Sequence, residues 1–193
     1  MDEAWIRNLV CEAMRMLYVK GLITPLAGNI SVRLSDERII VTPSRFPKFV
    51  LRPEHLSVVD IHGNHVEGPR PSSEIRMHLE IYRRVPDARA VVHIHGLYAP
   101  ILAHLVEPIV TMELHALGLD RDSICVAPPL EPGSIELAQT VASYASRGCR
   151  IVVLQLHGIV AYGRDLVEAL ELAELGDLVY RYAYVYHSCL RNR

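Results

Sequence analysis

Apolar residues recur with a helical period at the start of the chain. Ile6, Leu9, Val10, Ala13, Met14 and Leu17 share one stripe, with charges between them, which is the repeat of an amphipathic helix. Gly21 is placed to stop it. A polar stretch follows, Pro25-Leu26-Ala27-Gly28-Asn29-Ile30-Ser31, and then Arg38–Thr42 and Leu56–Ile61 read as strands, with a turn at His62-Gly63-Asn64. Pro69-Arg70-Pro71 is incompatible with a helix interior, so the next helix is expected to open at Ser72 or Ser73 with a serine cap, burying Ile75, Leu79 and Tyr82. Ala90–His95 is a valine-rich strand. Ile109–Met112 and Ile124–Ala127 read as further strands on either side of a turn at Gly118–Asp122. Ser134–Ala145 is a helix, Ile151–Leu156 and Ile159–Tyr162 are strands, and Asp165 caps a final helix reaching about Tyr186.

Helices and strands do not alternate strictly. The order predicts an α/β fold with three α/β/α layers around a largely antiparallel sheet, not a doubly wound parallel one. The 193 residues suit a single domain spanning 1–193 and able to bury its own core.

Charge narrows the range of partners. Twenty basic and twenty-two acidic residues leave a net charge of −2, so there is no basic footprint for nucleic acid. The apolar stretches near Ala90–Val110 and Ile151–Tyr162 are interrupted by His93, His95, His104 and His157, too soon for a membrane span. The first residues are acidic, unlike a secretory signal. Cys11, Cys125, Cys149 and Cys189 are scattered without a C-x-x-C pair, so free thiols and a cytoplasmic location are expected.

Three of the ten histidines stand apart. His93 and His95 are separated by one residue on a strand, so both rings project from the same face. His157 precedes Gly158 where another apolar strand ends. Three imidazoles from two adjacent strands would form an open metal site with room for a substrate oxygen. A jelly-roll cupin also uses an H-x-H pair, but no glutamate follows His95 at short spacing and the chain is rich in helical periodicity.

Beside this cluster lie short polar loops. Ser72 and Ser73 stand at a helix start, where free N–H groups and the helix dipole favour an anion, and Glu74 adds a carboxylate. Thr42-Pro43-Ser44-Arg45 and Gly28-Asn29 supply further donors. Each motif alone also suits ordinary capping or turn formation.

Taken in order, Ala27-Gly28-Asn29-Ile30-Ser31, Thr42-Pro43-Ser44, Pro71-Ser72-Ser73-Glu74, His93-Ile94-His95 and His157-Gly158 resemble the class II aldolase/adducin family. The resemblance implies one Zn2+ per subunit held by His93, His95 and His157, with Mn2+, Fe2+ or Co2+ as other candidates. It implies a substrate phosphate held by Asn29, Ser44, Ser72 and Ser73, and Glu74 as the acid–base residue; Gly28 and Arg45 in the same loops are further phosphate candidates, Arg45 having binding of another anionic group or a solvent-facing position as its alternatives. The expected reaction is reversible cleavage of a ketose 1-phosphate, such as L-fuculose 1-phosphate, into dihydroxyacetone phosphate and a small aldehyde. Dehydration of methylthioribulose 1-phosphate, another sugar-phosphate lyase or decarboxylase reaction, and a non-catalytic adducin-like module are the alternatives. A homotetramer with active sites at subunit interfaces is also implied.

This sequence departs from the family pattern at two places. Arg45 stands where the aldolase pattern has glycine. Met112 stands where it has a proton-donating tyrosine, leaving Glu113, His115 and Tyr98 as substitutes. A short or absent C-terminal tail is expected as well.

Overall fold

The computed structural model describes residues 2–191; Met1 and residues 192–193, on which the expectation about the C-terminal tail falls, lie outside the described residues. Helix α1 (Glu3–Val19) is capped by the Asp2 carboxylate, which accepts from Ala4 N–H, and Gly21 follows it in the left-handed region. Strands β1 (Asn29–Arg33), β2 (Ile39–Val41), β3 (Ser57–Val59) and β4 (His65–Glu67) come next, then α2 (Ile75–Arg84) and β5 (Ala90–Ile94). Two short helices, α3 (Ala99–Leu102) and α4 (Met112–Ala116), lead to β6 (Ile124–Ala127), α5 (Ile135–Ser146), β7 (Ile151–Leu154), β8 (Gly158–Gly163) and α6 (Leu166–Arg191).

The eight strands form one sheet in the order β4-β3-β2-β1-β5-β8-β7-β6. Every pairing is antiparallel except β6 with β7. Alternate side chains divide between two cores. Val92 and Ile94 join Val10, Met14, Leu172 and Val179 from α1 and α6 on one face. Val91 and Val160 join Met77, Ile81, Val141 and Ala142 from α2 and α5 on the other. The result is the expected α/β/α arrangement with a mostly antiparallel sheet.

Four local expectations are corrected. Ile109–Met112 is not a strand: Thr111 accepts from Leu114 N–H and starts α4 at Met112, while Ile109 N–H bonds to the Val179 carbonyl on α6. The cap position of α2 falls on Glu74 and makes no side-chain cap bond. Ser72 is instead spent on the turn before the helix, its hydroxyl accepting from Glu74 N–H and its carbonyl from Ile75 N–H. β1 emerges from the polar stretch because Ser31 faces inward and bonds to His78 Nδ1 at 2.8 Å and Tyr82 Oη at 2.7 Å. Finally, Cys125 and Cys149 form a disulfide across 5.8 Å between Cα atoms, because the turn after α5 brings Cys149 beside β6. Cys11 and Cys189 are free, and cysteine spacing therefore carries no information on redox compartment. Among the described residues no helix is long and apolar enough to cross a membrane.

The buried Asp177 on α6 ties that helix to the loop leaving β5. Its Oδ1 accepts from the backbone N–H groups of Leu97, Tyr98 and Ala99 at 3.1, 2.8 and 3.0 Å. Charge-assisted bonds of this kind are stronger than neutral ones, and truncating the acceptor strands three donors. Asp177→Ala is expected to cost about 2–4 kcal/mol, read as a fall in the denaturant midpoint at unchanged slope, with Asp177→Asn losing less.

Candidate active site

Antiparallel pairing of β5 with β8 places Ile94 opposite Ile159 and His93 opposite Val160. The ends of these strands therefore bring His95 and His157 to the same edge of the sheet. A three-residue hairpin, Gln155-Leu156-His157, joins β7 to β8, with Leu156 at a positive φ of 58°. Leu156 N–H is fixed to the Pro100 carbonyl at 2.9 Å. Gly158 lets the strands close: a Cβ there would stand 2.3 Å from the Ile94 carbonyl oxygen and 2.8 Å from His93 Cε1.

The three rings converge. Centroid separations are 5.1 Å for His93–His95, 4.9 Å for His93–His157 and 5.4 Å for His95–His157. One nitrogen of each lies within 4.8 Å of the others. His93 Nδ1 bonds to the Ile159 carbonyl at 3.0 Å; a carbonyl only accepts, so the proton is on Nδ1 and Nε2 is a bare lone pair. His93 Nε2 and His157 Nδ1 are buried without a hydrogen-bond partner.

Electrostatics favour the ligand form. Burial, then repulsion from His157 and His95, holds His93 well below the usual histidine range. His157 is lowered to about 4, mainly by burial, and burial lowers His95 as well. Three converging imidazoles, two of them with orphaned buried nitrogens, fit a divalent metal. No cysteine is needed.

Around the triad a cavity of about 300 Å³ is lined by all the site residues expected from the sequence: Gly28, Asn29, Ser44, Arg45, Ser72, Ser73, Glu74, His93, His95 and His157. A larger cleft of about 680 Å³ between the start of α1 and the start of α6 contains no comparable imidazole cluster, so chemistry and not size identifies the site. Gly28 has φ +69°, and a Cβ there would press into Ile23 and come within 3.1 Å of the His93 carbonyl. Arg45 has φ 51°, so an arginine occupies a left-handed conformation normally reserved for glycine. Its side chain is exposed at the cavity mouth.

The Glu74 carboxyl is buried, and burial raises its pKa against a lowering hydrogen bond from the Gly133 backbone. Oε2 is left without a partner. Met112 is 79% exposed on α4. Neither it nor Glu113, His115 or Tyr98 is among the cavity-lining residues.

Sequence reasoning missed Pro132, Gly133 and Lys48 beside the site. Pro132 and Lys48 line the cavity. The Glu131-Pro132-Gly133-Ser134 run marks a helix start, but its approach to Glu74 depends on tertiary packing of α2 against α5. Lys48 gives no motif signal, because only its burial distinguishes it.

Residues 8–184 match the model of the Class II Aldolase and Adducin N-terminal domain, and the chain belongs to this family. It is 34% identical to the 3-oxo-tetronate 4-phosphate decarboxylase of Haemophilus influenzae, over 90% of this chain and 84% of that one. It is likewise 34% identical to the methylthioribulose-1-phosphate dehydratase of Methylococcus capsulatus, covering 84% and 85% of the two chains. Identity to the L-fuculose phosphate aldolase of Escherichia coli (strain K12) is 37%, covering 86% and 76%. The crystal structure of L-fuculose-1-phosphate aldolase from Thermus thermophilus superposes with a TM-score of 0.79 at 28% identity, covering 96% of this chain and 95% of that one.

The convergence of the rings depends on the close approach at Gly158. Gly158→Ala is expected to weaken divalent-metal affinity at least about tenfold, measured by competition with a chromogenic chelator, while the protein remains folded.

Proposed function

We propose that this chain is a single-domain, metal-dependent sugar-phosphate lyase that cleaves a ketose 1-phosphate, such as L-fuculose 1-phosphate, into dihydroxyacetone phosphate and a small aldehyde. The observation that carries this reading is the meeting of three neutral imidazoles, a buried carboxyl and a ring of short donors in one cavity. His93, His95 and His157 would hold the metal, with zinc the first choice for three nitrogen donors. When bound, it supplies Lewis acidity toward the substrate's carbonyl and hydroxyl oxygens.

The remaining chemistry belongs to side chains. Asn29, Ser44 and Ser72, with Ser73 and Arg45 at the exposed rim, would bind the phosphate and orient the sugar along the cavity, with Gly28 allowing close backbone approach. Glu74 is suited to proton transfer because burial keeps its acid form accessible nearer neutrality than an exposed glutamate would allow. Glu74 would return a proton to the carbon of the dihydroxyacetone phosphate half after bond cleavage. The group that takes the proton from the hydroxyl beyond the scissile bond, and returns it to the aldehyde oxygen in the reverse direction, would come from a neighbouring subunit of a homotetramer. A contact between subunits is supported by the exposure of the apolar Met112, and by Tyr182, Val185, Tyr186 and Leu190 projecting from α6.

A second reading, decarboxylation of a phosphorylated sugar acid, is favoured by Arg45 at the mouth, where its guanidinium suits a carboxylate. One assay separates these reactions. Metal-loaded protein is expected to release triose phosphate from at least one member of a ketose 1-phosphate panel. Glu74→Gln should lower kcat by about 10²–10⁴ without changing metal content. Carbon dioxide release from an acid substrate would move the assignment to decarboxylase, and a diketone phosphate without chain cleavage would move it to dehydratase. Failure of every ketose phosphate with fully loaded protein would overturn aldolase chemistry.

A further inference from the structure

Lys48 is 1% exposed, one of the largest fully buried side chains, and it lines the same cavity as Asn29, Ser44 and Ser72. It begins a short 3-10 turn after Pro47. Its backbone N–H bonds to the Pro25 carbonyl at 2.9 Å. Its Nζ donates to the Pro43 carbonyl at 3.2 Å, so the side chain closes its own loop after β2 while the backbone N–H ties that loop to the one before β1. An ammonium has three donors, and this is the only hydrogen bond that the structure assigns to Nζ among the described residues. No carboxylate there forms an ion pair with it.

Burying an ammonium without a counter-charge is costly. Glu74 and Arg45 share the cavity but neither bonds to Lys48, and burial is the whole cause of its lowered pKa, about 8. The compensating charge is therefore to be sought in what enters the cavity. A phosphate dianion seated among Ser44, Ser72 and Asn29 would meet the free donors of Nζ from the inside, while Arg45 stands at the exposed rim.

Resting on the sugar-phosphate reading above, we infer that Lys48 is the buried counter-ion of the substrate's phosphate, an affinity-determining residue whose charge is compensated only in the complex. A residue that merely strapped the 43–48 loop would be indifferent to anions, and this difference can be measured.

The chain has only two lysines, Lys20 and Lys48, so metal-loaded wild-type protein carrying 13Cε-lysine gives one reporter and one internal reference, assigned with Lys20→Arg. Titration with inorganic phosphate is expected to shift the Lys48 signal saturably and to raise its titration midpoint by one pH unit or more, leaving Lys20 unmoved. By linkage, a phosphate that raises this midpoint binds less tightly as pH rises through 8. Lys48→Met should bind metal normally, bind phosphate at least tenfold more weakly and raise KM for the phosphorylated substrate with kcat little changed. Should that variant fail to fold, the wild-type titration decides alone. Phosphate binding with the Lys48 signal unmoved, or undiminished in a folded Lys48→Met protein, overturns the inference and leaves the lyase reading intact. No phosphate binding by wild type overturns the role of Lys48 and the phosphate cradle together.

Discussion

Three imidazoles with one nitrogen of each held within 4.8 Å of the others are the constraint around which this molecule is organised. Protonated rings at that separation would repel, and buried ones would also lose hydration. The fold removes the difficulty by burying His93 completely, fixing its proton on Nδ1 against the Ile159 carbonyl and aiming its lone pair at the other two rings. These interactions favour a cation at the centre instead of protons on the ligands.

The sheet supplies the precision. His93 belongs to β5 and is gripped by pairing with β1 on one side and β8 on the other. His95 and His157 lie just beyond strand ends, where backbone can turn. Asp177 then secures the chain leaving His95 through three backbone bonds. Rigid elements hold the imidazoles and Asn29, while Ser44, Arg45, Ser72 and Ser73 sit on loops tied to one another by the Ser72 N–H to Thr42 carbonyl bond and by the bridge between Pro43 and Pro71. Metal ligation needs fixed geometry, whereas loops present hydroxyls and N–H groups to an anion.

The layered fold was legible because α1, α5 and the strands β5, β7 and β8 bury apolar faces with their own periodicities. β1 was not, since Ser31 is a polar residue facing inward and satisfied by His78 and Tyr82. β4 was missed because all three of its residues are exposed and no apolar alternation marks an edge strand. The His-x-His spacing and the serine–glutamate motif led to the site because their geometry is local. Lys48, Asp177 and Gly133 escaped because their positions depend on contacts between distant segments. Arg45 was visible as a departure from the family pattern, but only its φ of 51° shows that the glycine-type turn persists beneath the arginine.

X-ray absorption at the metal edge of zinc-loaded protein tests the central claim most directly. The account requires three imidazole nitrogens at about 2.0–2.1 Å, completed by oxygen and not sulfur, with the imidazole contribution diminished in His95→Ala. A metal bound by fewer than three imidazoles, or through the thiol of Cys11 or Cys189, would contradict it.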